Sequence, residues 1–228
     1  MSTWIVRVWL PDRPGALGQV ASRIGAVRGD VVGIDILERG AGRAIDELAV
    51  DLPDDELVPL LVQEIGQVDG VDVEDVRRAA DALHDPRLDA LETAAQLVGA
   101  DTTDGLLEAL CTHGSRTVGS EWAVVVDAEA AVVVASTGPT PSSAWLAAFV
   151  AGSRSSAAVA GSDVGPDDVV WAPLAGAGLA LVLGRSGTAF RARERRQAAA
   201  LARIVDTRFR ELAGAASRSI HPASSRHR

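Results

Sequence analysis

Apolar and polar side chains alternate from the third residue onward. Trp4, Val6, Val8 and Leu10 fall on one face of an extended segment over 3–10, and Ile5, Arg7 and Trp9 on the other. After Pro11 the apolar spacing lengthens to a helical period through Leu17, Val20, Ala21, Ile24 and Val27, until Gly29 stops it. The turn between them, Leu10-Pro11-Asp12-Arg13-Pro14-Gly15-Ala16-Leu17-Gly18, predicts a helix with Asp12 or Arg13 near its N-cap and Pro14 in its first turn. Gly15 then allows close approach to a backbone whose first helical N–H groups are unpaired. A strand over 30–37, a glycine turn at 40–42 and a strand over 44–52 predict an antiparallel hairpin. Asp54 and Asp55 open a second helix with Leu57, Leu60, Leu61, Ile65 and Val68 on one side, and a short strand over 70–76 closes the unit. The order βαββαβ is the ferredoxin-like, split βαβ arrangement. Two helices cover one face of such a sheet, so its other face and its edges call for solvent-tolerant residues or a partner, and a second copy is the economical one.

The period changes further along. A polar linker over 80–87 leads to a helix over 88–99 marked by Leu88, Leu91, Ala95 and Val98. Thr102 or Thr103 caps the next helix, in which Leu106, Leu107, Leu110 and Cys111 pack inward. Short apolar strands follow over 121–127 and 130–136, then a short helix over 142–150 holding Trp145 and Phe149. A Gly/Ser-rich stretch over 151–165 carries one weak strand at 156–160. Strands over 169–174 and 179–183 flank Gly176-Ala177-Gly178, and a long helix runs from Thr188 or Ala189 to about Leu212. The fold class is therefore α+β, organised as a first domain over 1–79, a linker over 80–87, a second domain over 88–213 and a disordered tail over 214–228.

Composition narrows the chemistry. With 47% apolar and 23% charged residues the 228-residue chain reads as folded and globular, and no apolar run reaches the ~18 residues a membrane span requires. Met1-Ser2-Thr3 leads directly into the first strand, so no signal peptide and a cytoplasmic location are expected. All 22 basic residues are arginine, which leaves no lysine for a Schiff base, for pyridoxal phosphate attachment or for a complete phosphate loop. The net charge of −9 argues against general binding to nucleic acid or anionic membranes. Seven arginines over 190–210, against Glu194 and Asp206, break that acidic background and suit a solvated helix face or a partner contact. One cysteine excludes an internal disulfide and a cysteine-rich zinc site. His84, His113, His221 and His227 do not pair at metal-binding spacing, and Cys111 and His113 point apart on a helix. Neither a Gly-x-Ser-x-Gly elbow nor a Gly-x-Gly-x-x-Gly loop occurs. No catalytic residue, cofactor or metal is expected.

The strand, the Asp12-Arg13-Pro14-Gly15-Ala16-Leu17-Gly18 turn, the helix, and Gly29-Asp30-Val31-Val32 opening the next strand are similar to the ACT domain, over roughly 3–78. That resemblance implies a small regulatory module that pairs through a strand or helix edge and binds an amino acid at the dimer interface. The site it implies is Asp12, Arg13, Pro14, Gly15, Ala16 and Leu17 with Asp30, Val31 and Val32. Main-chain N–H groups at Gly15, Ala16 and Leu17 would take the ligand's carboxylate, and Asp12 and Asp30 its ammonium group. Leu10 and Pro11 precede Asp12 where some binders have a polar side chain. Many ACT modules only dimerise, so plain structural pairing stands as the alternative.

Residues 88–213 look like a GAF domain, most clearly at Leu179–Leu183 followed by Gly184-Arg185-Ser186-Gly187, Phe190 and Glu194. This resemblance implies a six-stranded antiparallel sheet, a small-molecule pocket under the covering helices, and pairing through the first and last helices. Trp122, Trp145, Phe149 and Trp171 would line the pocket, or simply fill the core. A cyclic-nucleotide signature and a cysteine for tetrapyrrole attachment are lacking. The expected function is a non-enzymatic regulatory sensor that acts as a homodimer on a separate output protein. Structural pairing without a metabolite and sensing in the GAF-like pocket are the alternatives.

Overall fold

The computed structural model describes residues 2–79, 86–160 and 166–220. The chain divides into two compact units, drawn mainly from residues 2–79 and from Pro86 onward. The expected linker lies largely outside the described residues.

In the first unit the alternation becomes β1 (Ser2–Pro11), followed by α1 (Ala16–Ala26), β2 (Asp30–Gly40), β3 (Arg43–Leu52), α2 (Val58–Ile65) and β4 (Asp72–Arg78). The sheet order is β2-β3-β1-β4, with every neighbouring pair antiparallel, which is the ferredoxin-like arrangement. Val6, Val8 and Leu10 of β1, and Leu48 and Val50 of β3, bury against Val20 and Ile24 of α1 and Leu61 and Ile65 of α2. Positive φ at Ala41 and Gly42 marks the two-residue turn that matches the twist of the β2–β3 hairpin. Asp54 caps the short 3-10 turn ahead of α2 by accepting from the Glu56 N–H at 3.0 Å.

One boundary differs from expectation. α1 starts at Ala16, not at residues 12–14, because Gly15 adopts the left-handed region (φ 88°) and a right-handed helix cannot run through it. The Ala16 N–H donates instead to the Arg13 carbonyl at 3.3 Å, so Arg13 and Pro14 form a turn ahead of the helix.

The second unit holds α3 (Pro86–Val98), α4 (Thr103–Val118), β5 (Trp122–Asp127), β6 (Val132–Thr137), α5 (Ser143–Ala160), β7 (Val169–Leu174), β8 (Leu179–Gly184) and α6 (Ala192–Ile220). Its antiparallel sheet, ordered β6-β5-β8-β7, has four strands among the described residues where the resemblance implies six. Apolar clusters cover both faces. Leu106, Leu107 and Leu110 of α4 and Ala198, Leu201 and Val205 of α6 pack on one, and Leu146 and Val150 of α5 on the other. Burial on both faces explains why β5 and β8 read as continuous apolar runs without alternation.

Two helices are longer than expected. α5 continues to Ala160, so the weak strand at 156–160 is helix, in keeping with the helix-forming Ala157-Ala158-Val159-Ala160. α6 continues to Ile220, so helix replaces the first part of the expected disordered tail, where Ala213, Ala215 and Ala216 favour it. The rest of that tail, 221–228, lies outside the described residues. α3 shows an inverted arrangement. Leu88, Leu91 and Val98 are 54%, 69% and 57% exposed, with exposed Ala95 between them. The helix buries Asp89, Thr93 and Leu97 instead. The Thr93 and Thr117 hydroxyls meet at 2.9 Å, and Thr117 also lies within donating distance of Asp89, at 3.2 Å. No helix among the described residues is long and apolar enough to cross a membrane.

Candidate functional site

The end of β1 and the start of α1 carry the residues with most chemical potential. The Asp12 N–H donates to the Gly42 carbonyl at 2.9 Å, and the Arg13 N–H to the Pro11 carbonyl at 2.8 Å, which pins the turn over the β2–β3 hairpin. Gly15 then occupies the N-cap position with no side chain capping the helix, and a Cβ there would meet nothing within 4 Å. The first intrahelical bond is from the Gln19 N–H to the Gly15 carbonyl at 3.1 Å, which leaves the Leu17 and Gly18 N–H groups ahead of it. Such donors, at the positive end of a helix of 11 residues, favour an anion. Of the three donors expected at Gly15, Ala16 and Leu17, that of Ala16 is engaged with Arg13.

Asp12 lies beside this end, partly exposed, with its carboxylate 4.0 Å from the Arg39 guanidinium of β2. Asp30 does not join it within one chain. Asp30 pairs with Asp51 at the start of β2, whereas Pro11 pairs with Arg43, which pairs with Gly40 at the far end of the same strand. Nine residues of β2 separate the two levels, roughly 30 Å at the rise of an extended chain. Val31 and Val32 go with Asp30. The structure thus gathers Asp12, Arg13, Pro14, Gly15, Ala16 and Leu17 at one end of the sheet and leaves Asp30, Val31 and Val32 at the other.

The sequence reading missed Asp46. It sits on β3 opposite Val8 of β1 and Ile36 of β2, between Ala44 and Leu48, on the face that packs under the helices. Only 3% of it is exposed, and its Oδ1 atom is buried without a hydrogen bond. Burial pushes its pKa up, Arg39 opposes that, and Asp12 adds to it. A signal for it was present, because residue 46 falls in the apolar register of an otherwise alternating strand.

In the second unit Trp122 is buried, and Phe149 and Trp171 pack partly buried against the same cluster beneath α5. Trp145, one turn from Phe149, is 41% exposed and stacks on it with ring centres 5.3 Å apart. The three inner rings act as core, and Trp145 stands at its rim. Cys111 is fully buried, and desolvation pushes its thiol up to about 12, so it is no nucleophile in the folded state. Among the described residues no group of three or more His, Cys, Asp or Glu side chains is placed to hold a metal ion.

No protein-family model matches the chain, and no curated protein does. Solved structures similar to parts of it include the ACT domain from GTP pyrophosphokinase of Chlorobium tepidum. It is 18% identical, covers 34% of this chain and 97% of its own, and has a TM-score of 0.28. A formyltetrahydrofolate deformylase from Pseudomonas putida is 19% identical over 42% of this chain and 38% of its own, with a TM-score of 0.28. The phytochrome photosensory core module of Stigmatella aurantiaca is 14% identical over 82% of this chain and 45% of its own, with a TM-score of 0.42.

Proposed function

We propose that this chain is a non-enzymatic, cytoplasmic regulatory protein whose first unit binds a free amino acid at the leading end of α1, at a seam between two copies. The second unit then passes the bound state to a separate output protein. The observation that carries this reading is the uncapped start of α1 behind left-handed Gly15, with the Asp12 carboxylate beside it. A zwitterion presents a carboxylate to the first and an ammonium group to the second. Pairing is supported by β2, an edge strand that exposes Val32, Ile34 and Ile36. Two β2 strands paired antiparallel would bring Asp30 of the partner subunit to the Asp12 end.

The test is a thermal-shift screen of the full chain against the twenty amino acids, with light scattering for mass. A ligand at 100 times its Kd adds about 2.7 kcal/mol of stability, a clear shift. A hit that weakens in both Asp12→Ala and Asp30→Ala supports the reading, and a silent screen removes it. A second reading, pairing without a metabolite, is favoured by the outward stripe Leu88, Leu91, Ala95 and Val98 on α3. A dimeric mass with a silent screen, and a fall in mass for Leu91→Asp, would select it. A response confined to hydrophobic metabolites and lost in Trp145→Ala would move the site to the second unit.

A further inference from the structure

We propose that Asp46 shares with Asp12 the ammonium group of the amino acid bound at the start of α1. This inference rests on the proposed function and assigns one of its central contacts. Three observations meet at this position. The first is placement, since Asp46 shares its face of the sheet with Val8, Ala44 and Leu48, in the same packed layer as Ala16, the first residue of α1. The second is its surroundings. The charged groups that act on Asp46 are Asp12 and Arg39, and both belong to the end of the sheet where α1 begins. The third is its want of a partner, with Oδ1 closed off from solvent and receiving no hydrogen bond.

A carboxylate in that condition carries an unrelieved desolvation cost, which a cationic hydrogen-bond donor offsets more fully than a neutral one. An ammonium group supplies both a charge and three donors. The Leu17 and Gly18 N–H groups ahead of the first helical bond supply the complementary half of the site, for a carboxylate. One small ligand that carries both groups on a single carbon offers one to each half, and that is an α-amino acid. Asp46 thereby fills, within a single chain, the role the sequence suggests for Asp30, which the fold places at the opposite end of β2. Arg39, exposed on β2, neutralises part of the acidic pair when no ligand is present.

The experiment is calorimetric titration of the full-length chain with each of the twenty L-amino acids, with propionate and ethylamine as the separate halves of the ligand. Wild type, Asp46→Asn and Asp30→Asn are compared. The expected result is binding of at least one amino acid by the wild type, with affinity lowered at least about tenfold by Asp46→Asn. Asp30→Asn lowers it less, and propionate binds far more weakly than the amino acid. In parallel, the assigned carbon-13 carboxyl resonance of Asp46 in the wild type should move on addition of the amino acid and stay in place with propionate. This second measurement decides the matter should Asp46→Asn not fold. Retention of affinity within about twofold in Asp46→Asn, or a carboxyl resonance that ignores the amino acid, overturns the assignment and leaves amino-acid binding standing. Absence of binding by every amino acid to the wild type overturns the functional reading and this assignment with it.

Discussion

Arg185 follows directly on β8, at the place where three segments of the second unit meet. The residue is 7% exposed, and its guanidinium donates to the Glu194 carboxylate at 2.7 and 2.9 Å. It also donates to the carbonyls of Val118 and Gly119 at the end of α4, and to those of Thr188 and Ala189 ahead of α6. The cation lies 4.0 Å from the centre of the Phe190 ring. A positive group thus meets the negative end of α4, while Glu194 sits in the first turn of α6 at that helix's positive end. Glu194→Ala leaves a buried guanidinium with carbonyl dipoles but without its counter-charge. Breaking one side of a buried, hydrogen-bonded pair costs about 3–5 kcal/mol. For a unit of this size, at about 3 °C per kcal/mol, Tm should fall by roughly 9–15 °C. Urea unfolding followed by far-UV circular dichroism should show a lower midpoint with an unchanged slope. The double variant Arg185→Met with Glu194→Leu should cost clearly less than the two single changes added together, because it leaves no uncompensated charge. A cost below about 1 kcal/mol for Glu194→Ala, or strict additivity in the double variant, would refute the reasoning.

Asp46 is the reverse case. Its folded-state pKa is raised, chiefly by burial, so its ionised form opposes folding at neutral pH. Without ligand, Asp46→Asn should raise stability by about 1–3 kcal/mol at pH 7. That gain should shrink as pH falls through the raised folded value and vanish below about pH 4, the unfolded carboxylate range; a gain independent of pH contradicts the account. Cys111, buried with its thiol pushed up to about 12, should resist a disulfide-exchange reagent at pH 8 until denaturant is added, and rapid labelling of the folded protein would count against its placement. Gly184→Ala drives a Cβ into the indole ring of Trp122, its buried cross-strand partner. The expected loss is about 1–3 kcal/mol with altered tryptophan fluorescence, and an unchanged melt would show that the ring gives way freely.

Much of this architecture can be read along the chain because the information is local. Period-two alternation in β1 and helical spacing from Leu17 to Val27 depend only on neighbours, and the order of elements in the first unit follows from them. The cap of α4 is readable as Thr102 or Thr103, and it is the Thr102 hydroxyl that accepts from the Gly105 N–H at 3.1 Å. The candidate site was legible only in part. The Asp12–Gly15 turn is a local feature and was found, but the partnership of Asp12 with Asp30 depended on which ends of the strands coincide.

Sequence alone therefore determined the succession of strands and helices in the first unit and the α+β class, while the left-handed Gly15 that sets the start of α1 emerged only in the structure. Tertiary structure decided the rest. Because β1 and β2 both pair antiparallel to β3, their corresponding ends lie together, and this sends Asp30 away from Asp12 while bringing Asp46 to its side. Packing against α4 likewise chose the polar side of α3 for burial and turned Leu88, Leu91 and Val98 outward. Spacing along a helix defines a stripe; only the neighbour that the helix meets selects which stripe is buried.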